Sequence, residues 1–182
     1  LSQADQTDLA FLLDLCSKEG AALKVSGGKL VIFDESAYEK KAPVATIQRT
    51  DVLSYSFNWS SAVAAYRACQ LSYTNSKHKT IKVTYTPPGA PKTGPVLKIN
   101  ESVSSQAEGL RVARNRIREQ NKEYGRGRLS LPGDPRMAAG VTILIKGWGR
   151  YDSKYIVESA VHSVDGSGGY RTDLEIRKVL GW

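Results

Sequence analysis

The apolar residues near the start of the chain recur with the period of a helix. Together they form one face, which consists of Leu9, Leu12, Leu13 and Cys16. Asp5 or Thr7 can cap this helix, and Gly20 ends it. The following stretch, ALKVSGGKLVIFD, has two apolar-rich runs around a Gly-Gly pair. The pattern therefore predicts a helix followed by a β-hairpin.

Further along, most apolar residues alternate with polar ones, as they do in half-buried strands. The stretches with this character are DVLSYSFNWS, ACQLSYT, TIKVTYT, VLKIN, VTILIKG, KYIVESAVHSVD and YRTDLEIRKVL. Residues 35–50 are polar and irregular, and the proline-rich residues 87–95 predict an exposed loop. We expect many strands, each with one buried and one solvated face.

Between these strands, an amphipathic helix is predicted over residues 103–124. Its apolar stripe consists of Leu110, Ala113, Ile117 and Tyr124, and a neighbouring basic stripe consists of Arg111, Arg114, Arg118 and Lys122. Residues 111–128 hold seven Arg and Lys against two Glu. Asn115, Gln120 and Asn121 could contact bases, but the basic face has no aromatic residue for stacking. We interpret the stripe as a solvated or partner-docking face in preference to a nucleic-acid-binding one.

Two helices among many strands predict an α+β fold that is mainly β. We place a helix-hairpin subdomain at residues 1–50. Residues 51–182 are predicted to form a small antiparallel barrel-like sheet with the amphipathic helix packed on it.

Composition and charge leave both interpretations of the basic stripe open. The chain has 182 residues, a formal charge of +8 and a pI of about 9.5, which suits a phosphate backbone without requiring one. No apolar run approaches the roughly 18 residues of a membrane span, and the first residues are acidic where a signal peptide would be positive. We expect a protein made in the cytoplasm. Its first residue is Leu, so we expect a piece of something longer.

Few residues have the character of a catalytic or metal site. Cys16 and Cys69 lie far apart, which indicates neither a disulfide framework nor a zinc site. His78 falls in a polar turn and His162 in a strand, and neither lies in a hydrolase or phosphate-binding motif. The carboxylates are dispersed among basic residues along the strands. The sequence therefore predicts no catalytic residue, no metal and no cofactor, although it does not exclude a cell-wall hydrolase.

Two segments, in order, resemble the phage tail hub proteins of the late control protein D family and the hub portion of type VI secretion spike proteins. The first is QADQTDLAFLLDLCSKEGAALKVSGGKLVIFD, and the second is GVTILIKGWGRYDSKYIVESAVHSVDGSGGYRTDLEIRKV. Such proteins are commonly about twice this length, so the chain resembles their C-terminal half. In this resemblance Tyr155, Val157, Val161 and His162 are strand positions.

The resemblance implies a non-enzymatic structural protein of a contractile-tail baseplate. Such a hub assembles as a trimer and joins the tail tube to the central spike, with no role at a membrane. It would give the basic stripe a docking function, because charge complementarity sets register and partner choice in repeated assemblies. A basic nucleic-acid-binding module is the alternative, and a tail-associated cell-wall hydrolase is the third possibility.

Overall fold

The computed structural model describes residues 6–59, 65–74, 79–166 and 168–182. The α-helices are α1 (Asp8–Glu19), α2 (Glu35–Lys40) and α3 (Gln106–Lys122). The strands are β1 (Ala21–Ser26), β2 (Lys29–Asp34), β3 (Ala45–Gln48), β4 (Ser54–Trp59), β5 (Ala68–Thr74), β6 (Thr80–Tyr85), β7 (Val96–Asn100), β8 (Gly125–Pro132), β9 (Thr142–Lys146), β10 (Ser153–Asp165) and β11 (Gly169–Lys178). Short 3-10 helices lie at Arg49–Asp51 and Gly149–Tyr151. The predicted α+β, mainly β fold is confirmed.

The chain divides into two compact units, neither of which is a continuous segment. The first unit contains residues 1–35, 64–121 and 182, and the second contains residues 36–63 and 122–181. This differs from the division predicted at residue 50. The physical reason is long-range pairing: β3 precedes that boundary, yet it pairs in parallel with β9. Periodicity in the sequence reveals strands but not their partners.

In the first unit, α1 and the β1–β2 hairpin form as predicted. The Thr7 hydroxyl accepts a hydrogen bond from the Ala10 N–H at 3.3 Å, and Gly20 closes the helix in the left-handed conformation with φ of 72°. Gly27 and Gly28 make the hairpin turn, both with positive φ. The other predicted cap, Asp5, lies outside the described residues.

The rest of the first unit is a three-stranded sheet in the order β6-β5-β7, with α3 on its apolar face. The buried side chains of this core are Cys69, Leu71, Tyr73, Val83, Ala113 and Ile117. Burial of each large aliphatic side chain contributes roughly 1.5–3 kcal/mol. Leu110, predicted on the buried stripe, is exposed, and Gly109 takes the inward position. A Cβ at Gly109 would come within 3.4 Å of Val83, so the small residue lets the helix approach closely.

The second unit is a six-stranded sheet in the order β3-β9-β10-β11-β8-β4. Every pairing is antiparallel except that of β3 with β9, and the core lies on one face. Its buried members are Ile47, Leu129, Leu131, Met137, Ile143, Ile145, Tyr155, Val157, Leu174 and Ile176. In two respects this differs from the predicted barrel-like sheet. The sheet is open and mixed within the described residues, and the amphipathic helix packs on the other sheet.

A buried ion pair fastens α2 to this sheet. The guanidinium of Arg177 is fully buried and lies 2.7 Å from the carboxylate of Glu39. The ammonium of Lys154 donates to the carbonyl oxygen of Glu39 at 2.6 Å, so the end of α2 is held by two cations. Because each charge is buried with a partner, neither is left uncompensated in the interior.

Candidate functional site

The predicted basic stripe is not a continuous surface. Arg111 is about half exposed and forms an ion pair with Glu19 at the end of α1. Arg114 is exposed, whereas Arg118 is 4% exposed. Lys122 is half-buried and belongs to the second unit. The structure thus leaves Arg111 and Arg114 as the accessible cations of the stripe, and its docking role stays a prediction.

Arg118 is occupied inside the first unit. Its guanidinium donates to the backbone carbonyl of Trp182 and lies 5.8 Å from the centre of the indole ring. A planar cation over an aromatic face is stabilising, more so when it is shielded from water. Arg118 therefore ties the last residue of the chain to α3.

The two asparagines that could have contacted bases are also occupied. The amide nitrogen of Asn115 donates to the carbonyl of Lys18 at 2.7 Å. The amide of Asn121 accepts from the Tyr66 N–H at 2.8 Å and donates to the Tyr66 carbonyl at 3.0 Å. Asn115 is 8% exposed and Asn121 is 6% exposed. Both side chains complete backbone hydrogen bonding, and neither is available to a nucleic acid.

Two further contacts secure α3. Arg116 donates to the carboxylate of Glu101 at 2.7 Å. At the start of the helix, the carboxylate of Glu108 accepts from the backbone N–H of Ser104 at 2.7 Å and from its hydroxyl at 2.6 Å. Both hydrogen bonds lower the pKa of Glu108, and the one from the hydroxyl has the larger effect. The polar residues of α3 thus hold its own unit together.

The described cysteines are buried, and the described histidine contacts neighbouring groups of its own sheet. Cys69 is fully buried. Burial, and to a lesser extent the charge of Glu101, raises the pKa of its thiol to about 11, so the thiol is neutral at pH 7. Cys16 is also buried and free. His162 lies in β10, where Nε2 is 2.9 Å from the carbonyl oxygen of Met137 and Nδ1 is 3.1 Å from the Thr172 hydroxyl. His78 lies outside the described residues.

Carboxylates on the solvated face of the six-stranded sheet pair with arginines across or along the strands. Glu175 is 2.9 Å from Arg128, and Asp173 is 3.1 Å from Arg171. Such pairing follows from the dispersal of carboxylates among basic residues along the strands. In the part of the chain that the structure describes, no cluster of three or more His, Cys, Asp or Glu side chains could hold a metal ion. Likewise, none of the described helices has the length and apolar character of a membrane span.

One feature that the sequence did not single out is an aromatic ridge on β4, formed by Tyr55, Phe57 and Trp59. These residues pair with Leu129, Gly127 and Gly125 of β8. A Cβ at Gly127 would lie 2.7 Å from the Phe57 ring, and one at Gly125 would lie 3.3 Å from the Trp59 indole nitrogen. The rings thus cover the two glycines, an arrangement that stabilises glycine in a sheet.

The ridge continues into the loop after β9. The rings of Phe57 and Tyr151 stack with centroids 4.8 Å apart, and Trp148 meets Tyr55 edge-on at 5.5 Å. The fully buried Tyr155 donates from its hydroxyl to the Tyr151 carbonyl at 2.9 Å. Burial, above all, raises the pKa of Tyr155 to about 12. The signal available in the sequence was the alternation of three aromatic residues with Ser and Asn in SYSFNW.

Neither a protein-family model nor a curated protein sequence matches the chain. Solved structures do match its fold. A tail protein from Neisseria meningitidis superposes with a TM-score of 0.74 at 14% identity, over 98% of this chain and 57% of that one. The 43 kDa tail protein of prophage MuSo2 from Shewanella oneidensis superposes with a TM-score of 0.72 at 14% identity, over 97% and 54%.

A third match is a chain in the virion of a native gene transfer agent particle. Its TM-score is 0.61 at 16% identity, over 98% of this chain and 40% of that one. The chain thus spans a little over half the length of the two tail proteins. These identities establish a shared fold and nothing finer. The chain has the fold found in phage and prophage tail proteins.

Proposed function

We propose that this chain is part of the baseplate hub of a contractile phage-type tail. In this role it is a non-enzymatic structural protein that joins the tail tube to the central spike and acts within a trimer. The observation that carries the proposal is the shared fold with a tail protein over 98% of the chain. The ordered hub-like motifs in the sequence give independent support.

The contacts of α3 favour this role over the nucleic-acid-binding alternative. A protein that binds a phosphate backbone needs accessible cations, since affinity comes largely from counterion release. Arg118 is buried, while Arg111 and Arg116 pair with carboxylates. Three of the four arginines of α3 are therefore paired or buried within the first unit, which leaves fewer of them available to a phosphate backbone.

Localisation in particles tests the proposal directly. Tail particles would be induced from a strain that encodes the chain and labelled with a gold-conjugated antibody against it for electron microscopy. We expect label at one end of the tail, and tailless or spikeless particles after deletion of the gene. Particles from the deletion strain control for the antibody. Normal, unlabelled tails in both strains would refute the hub role.

The trimer is tested by light scattering behind size exclusion, over a tenfold range of protein concentration and at two salt concentrations. We expect a mass that approaches a trimer as concentration rises. A mass fixed at that of a monomer under all of these conditions would refute trimer formation. A gel shift at the same salt concentrations addresses the alternative, because salt-sensitive binding of duplex DNA would favour it over the hub.

The docking role of the stripe is tested at Arg114, because replacement of the buried Arg118 would disturb folding. Arg114→Glu should leave the thermal midpoint unchanged and reduce hub assembly in the full-length protein. Gln120→Glu, at another exposed position of α3, is the matched control. Normal assembly of the Arg114→Glu protein would remove the stripe from the docking surface.

A further inference from the structure

Sheet edges in natural proteins are usually protected against pairing with other chains, by charges, prolines, bulges or shortness. Three of the four edges of the larger sheets follow this rule: β3 has four residues, β6 carries Lys82, and β7 carries Lys98. The fourth edge, β4, has the sequence SYSFNW, with six residues and neither a charge nor a proline. Its pairing with β8 runs unbroken from Ser54 to Trp59.

The second edge of β4 faces no strand among the described residues. Its polar face carries Ser54, Ser56 and Asn58, all exposed and uncharged. On the other face, Tyr55 is 41% exposed at the start of the ridge. An incoming strand would meet backbone groups that no described strand pairs, flanked by hydroxyl and amide groups on one side and by rings on the other.

Cations lie at both ends of the aromatic ridge. The guanidinium of Arg49 is 5.5 Å from the centre of the Tyr55 ring, and the ammonium of Lys178 is 4.9 Å from that of Trp59. A third cation, Arg150, lies 4.8 Å from the centre of the Tyr151 ring, which stacks on that of Phe57. This face of the edge is therefore aromatic, with cations beside the rings of Tyr55 and Trp59 at its two ends.

Two carboxylates close to the ridge in sequence accept hydrogen bonds from backbone N–H groups. Asp51 accepts from the Gln48 N–H at 2.7 Å, and Asp152 accepts from the Trp148 N–H at 2.7 Å. Each closes a tight turn, Arg49–Asp51 in the first case and residues 147–152 in the second. Within the described residues neither carboxylate forms an ion pair with Arg49 or Lys178, and those two cations are complementary to acidic groups from outside.

We infer that β4 is a docking edge for an extended, acidic segment of a partner protein, which adds to the six-stranded sheet as a further strand. Residues of that segment alternate between the two faces. On the ridge side it presents acidic, apolar and acidic side chains in turn, opposite Tyr55, Phe57 and Trp59. On the other side it presents small hydroxyl residues. The core pattern is Glu-Thr-Val-Thr-Glu.

This inference does not rest on the hub role, because it concerns the edge of the isolated chain. Main-chain hydrogen bonds supply affinity in such strand addition, and the alternating side chains supply specificity. Charge at the two ends fixes which segments are accepted. A protein in any assembly could use the edge in this way.

The first test uses a nine-residue peptide, Glu-Thr-Val-Thr-Glu with two Thr at each end, and measures its binding by calorimetry together with amide hydrogen exchange of the chain. We expect binding and slowed exchange at residues 54–59, with no change at the edge strand Thr80–Tyr85. A peptide with Lys in place of Glu should bind at least about tenfold more weakly. A peptide N-methylated at alternate residues should lose binding.

The second test reverses the charges of the edge. Arg49→Glu with Lys178→Glu should exchange the preference, so that the Lys peptide binds more tightly than the Glu peptide. Lys82→Glu with Lys98→Glu alters net charge equally and should preserve the original preference. Equal binding of the N-methylated peptide, equal binding of the Glu and Lys peptides, or unchanged exchange at residues 54–59 up to roughly 1 mM peptide would each overturn the inference.

Discussion

Helix α3 and strand β4 differ in whether their polar groups are paired within their own unit. The helix is rich in charge, yet three of its four arginines and both of its asparagines contact carboxylates, backbone carbonyls or an indole ring of the same unit. The strand has no charge, yet its second edge faces no other strand in the described part of the chain. The charged element is largely satisfied, and the uncharged one is open.

The difference shows that a segment's capacity to bind a partner depends on whether its polar groups already have partners, and not on how many such groups it contains. An arginine whose donors are paired inside a unit adds little to an external contact. A row of backbone N–H and C=O groups at a sheet edge can contribute several hydrogen bonds at once. The mutations below test each side of this comparison, from the largest expected effect to the smallest.

Ile117→Ala should have the largest effect, because it removes a fully buried side chain where α3 meets the three-stranded sheet. Loss of burial and the resulting cavity should lower the free energy of unfolding by about 2–5 kcal/mol. Chemical denaturation measures this change. Leu110→Ala, at an exposed position of the same helix, should cost far less, and equal losses would show that α3 is not held by that face.

Asn121→Ala tests the claim that the polar residues of α3 act within their own unit. The change leaves the Tyr66 N–H and carbonyl without their partner and should cost about 1–3 kcal/mol in the free energy of unfolding. Gln120→Ala, one residue away and exposed, is the control. If both variants unfold at the same denaturant concentration, the two hydrogen bonds between Asn121 and the backbone of Tyr66 do not stabilise the fold.

Gly127→Ala tests the contact between the aromatic ridge of β4 and the glycines of β8. The new methyl group would displace the Phe57 ring, which lies 2.7 Å from the Cβ position, and overpacking of this kind costs about 1–3 kcal/mol. The displacement should appear as shifted ring resonances of Phe57 in NMR spectra. Gly166→Ala, where a Cβ meets no atom within 4 Å, should leave stability and spectra unchanged.

Glu108→Gln should have the smallest effect, and one that depends on pH. The pKa of Glu108 is lowered in the folded protein, so its carboxylate stabilises the fold above the ordinary pKa of 4.5 and loses that contribution as pH falls through the folded value. The thermal midpoints of the wild type and the variant should differ at pH 7 and converge at strongly acidic pH. A constant difference would contradict this assignment. Glu119→Gln serves as the control.

Local structure was largely predictable because it is encoded in local patterns. The capped α1, the glycine turn between β1 and β2, and α3 were expected from periodicity and capping residues alone. Strand β8 was missed because GRGRLSLP begins with two glycines at alternate positions, and glycine has low strand propensity. Its first glycines are stabilised by the rings of β4, a contact between segments about 70 residues apart.

The candidate surfaces were harder to predict because they depend on partners in space. Sequence identified Arg111, Arg114, Arg118 and Lys122 as one stripe, but burial of Arg118 requires Trp182, the last residue of the chain. The open edge of β4 follows from the order of six strands, which no local pattern contains. Uncharged alternation in SYSFNW was visible, whereas its position at an edge was not.

The interleaved order of the two units has a consequence for synthesis on the ribosome. Strands β3 and β4 are made before the segment 64–121 of the first unit, and their partners β9 and β8 follow only after it. At about 5–20 residues per second, these strands wait for several seconds or longer without a sheet to join. During that interval the aromatic stretch of β4 is exposed to other nascent chains. A chaperone that binds extended aromatic segments therefore has several seconds in which to reach β4 before its partner strand is made.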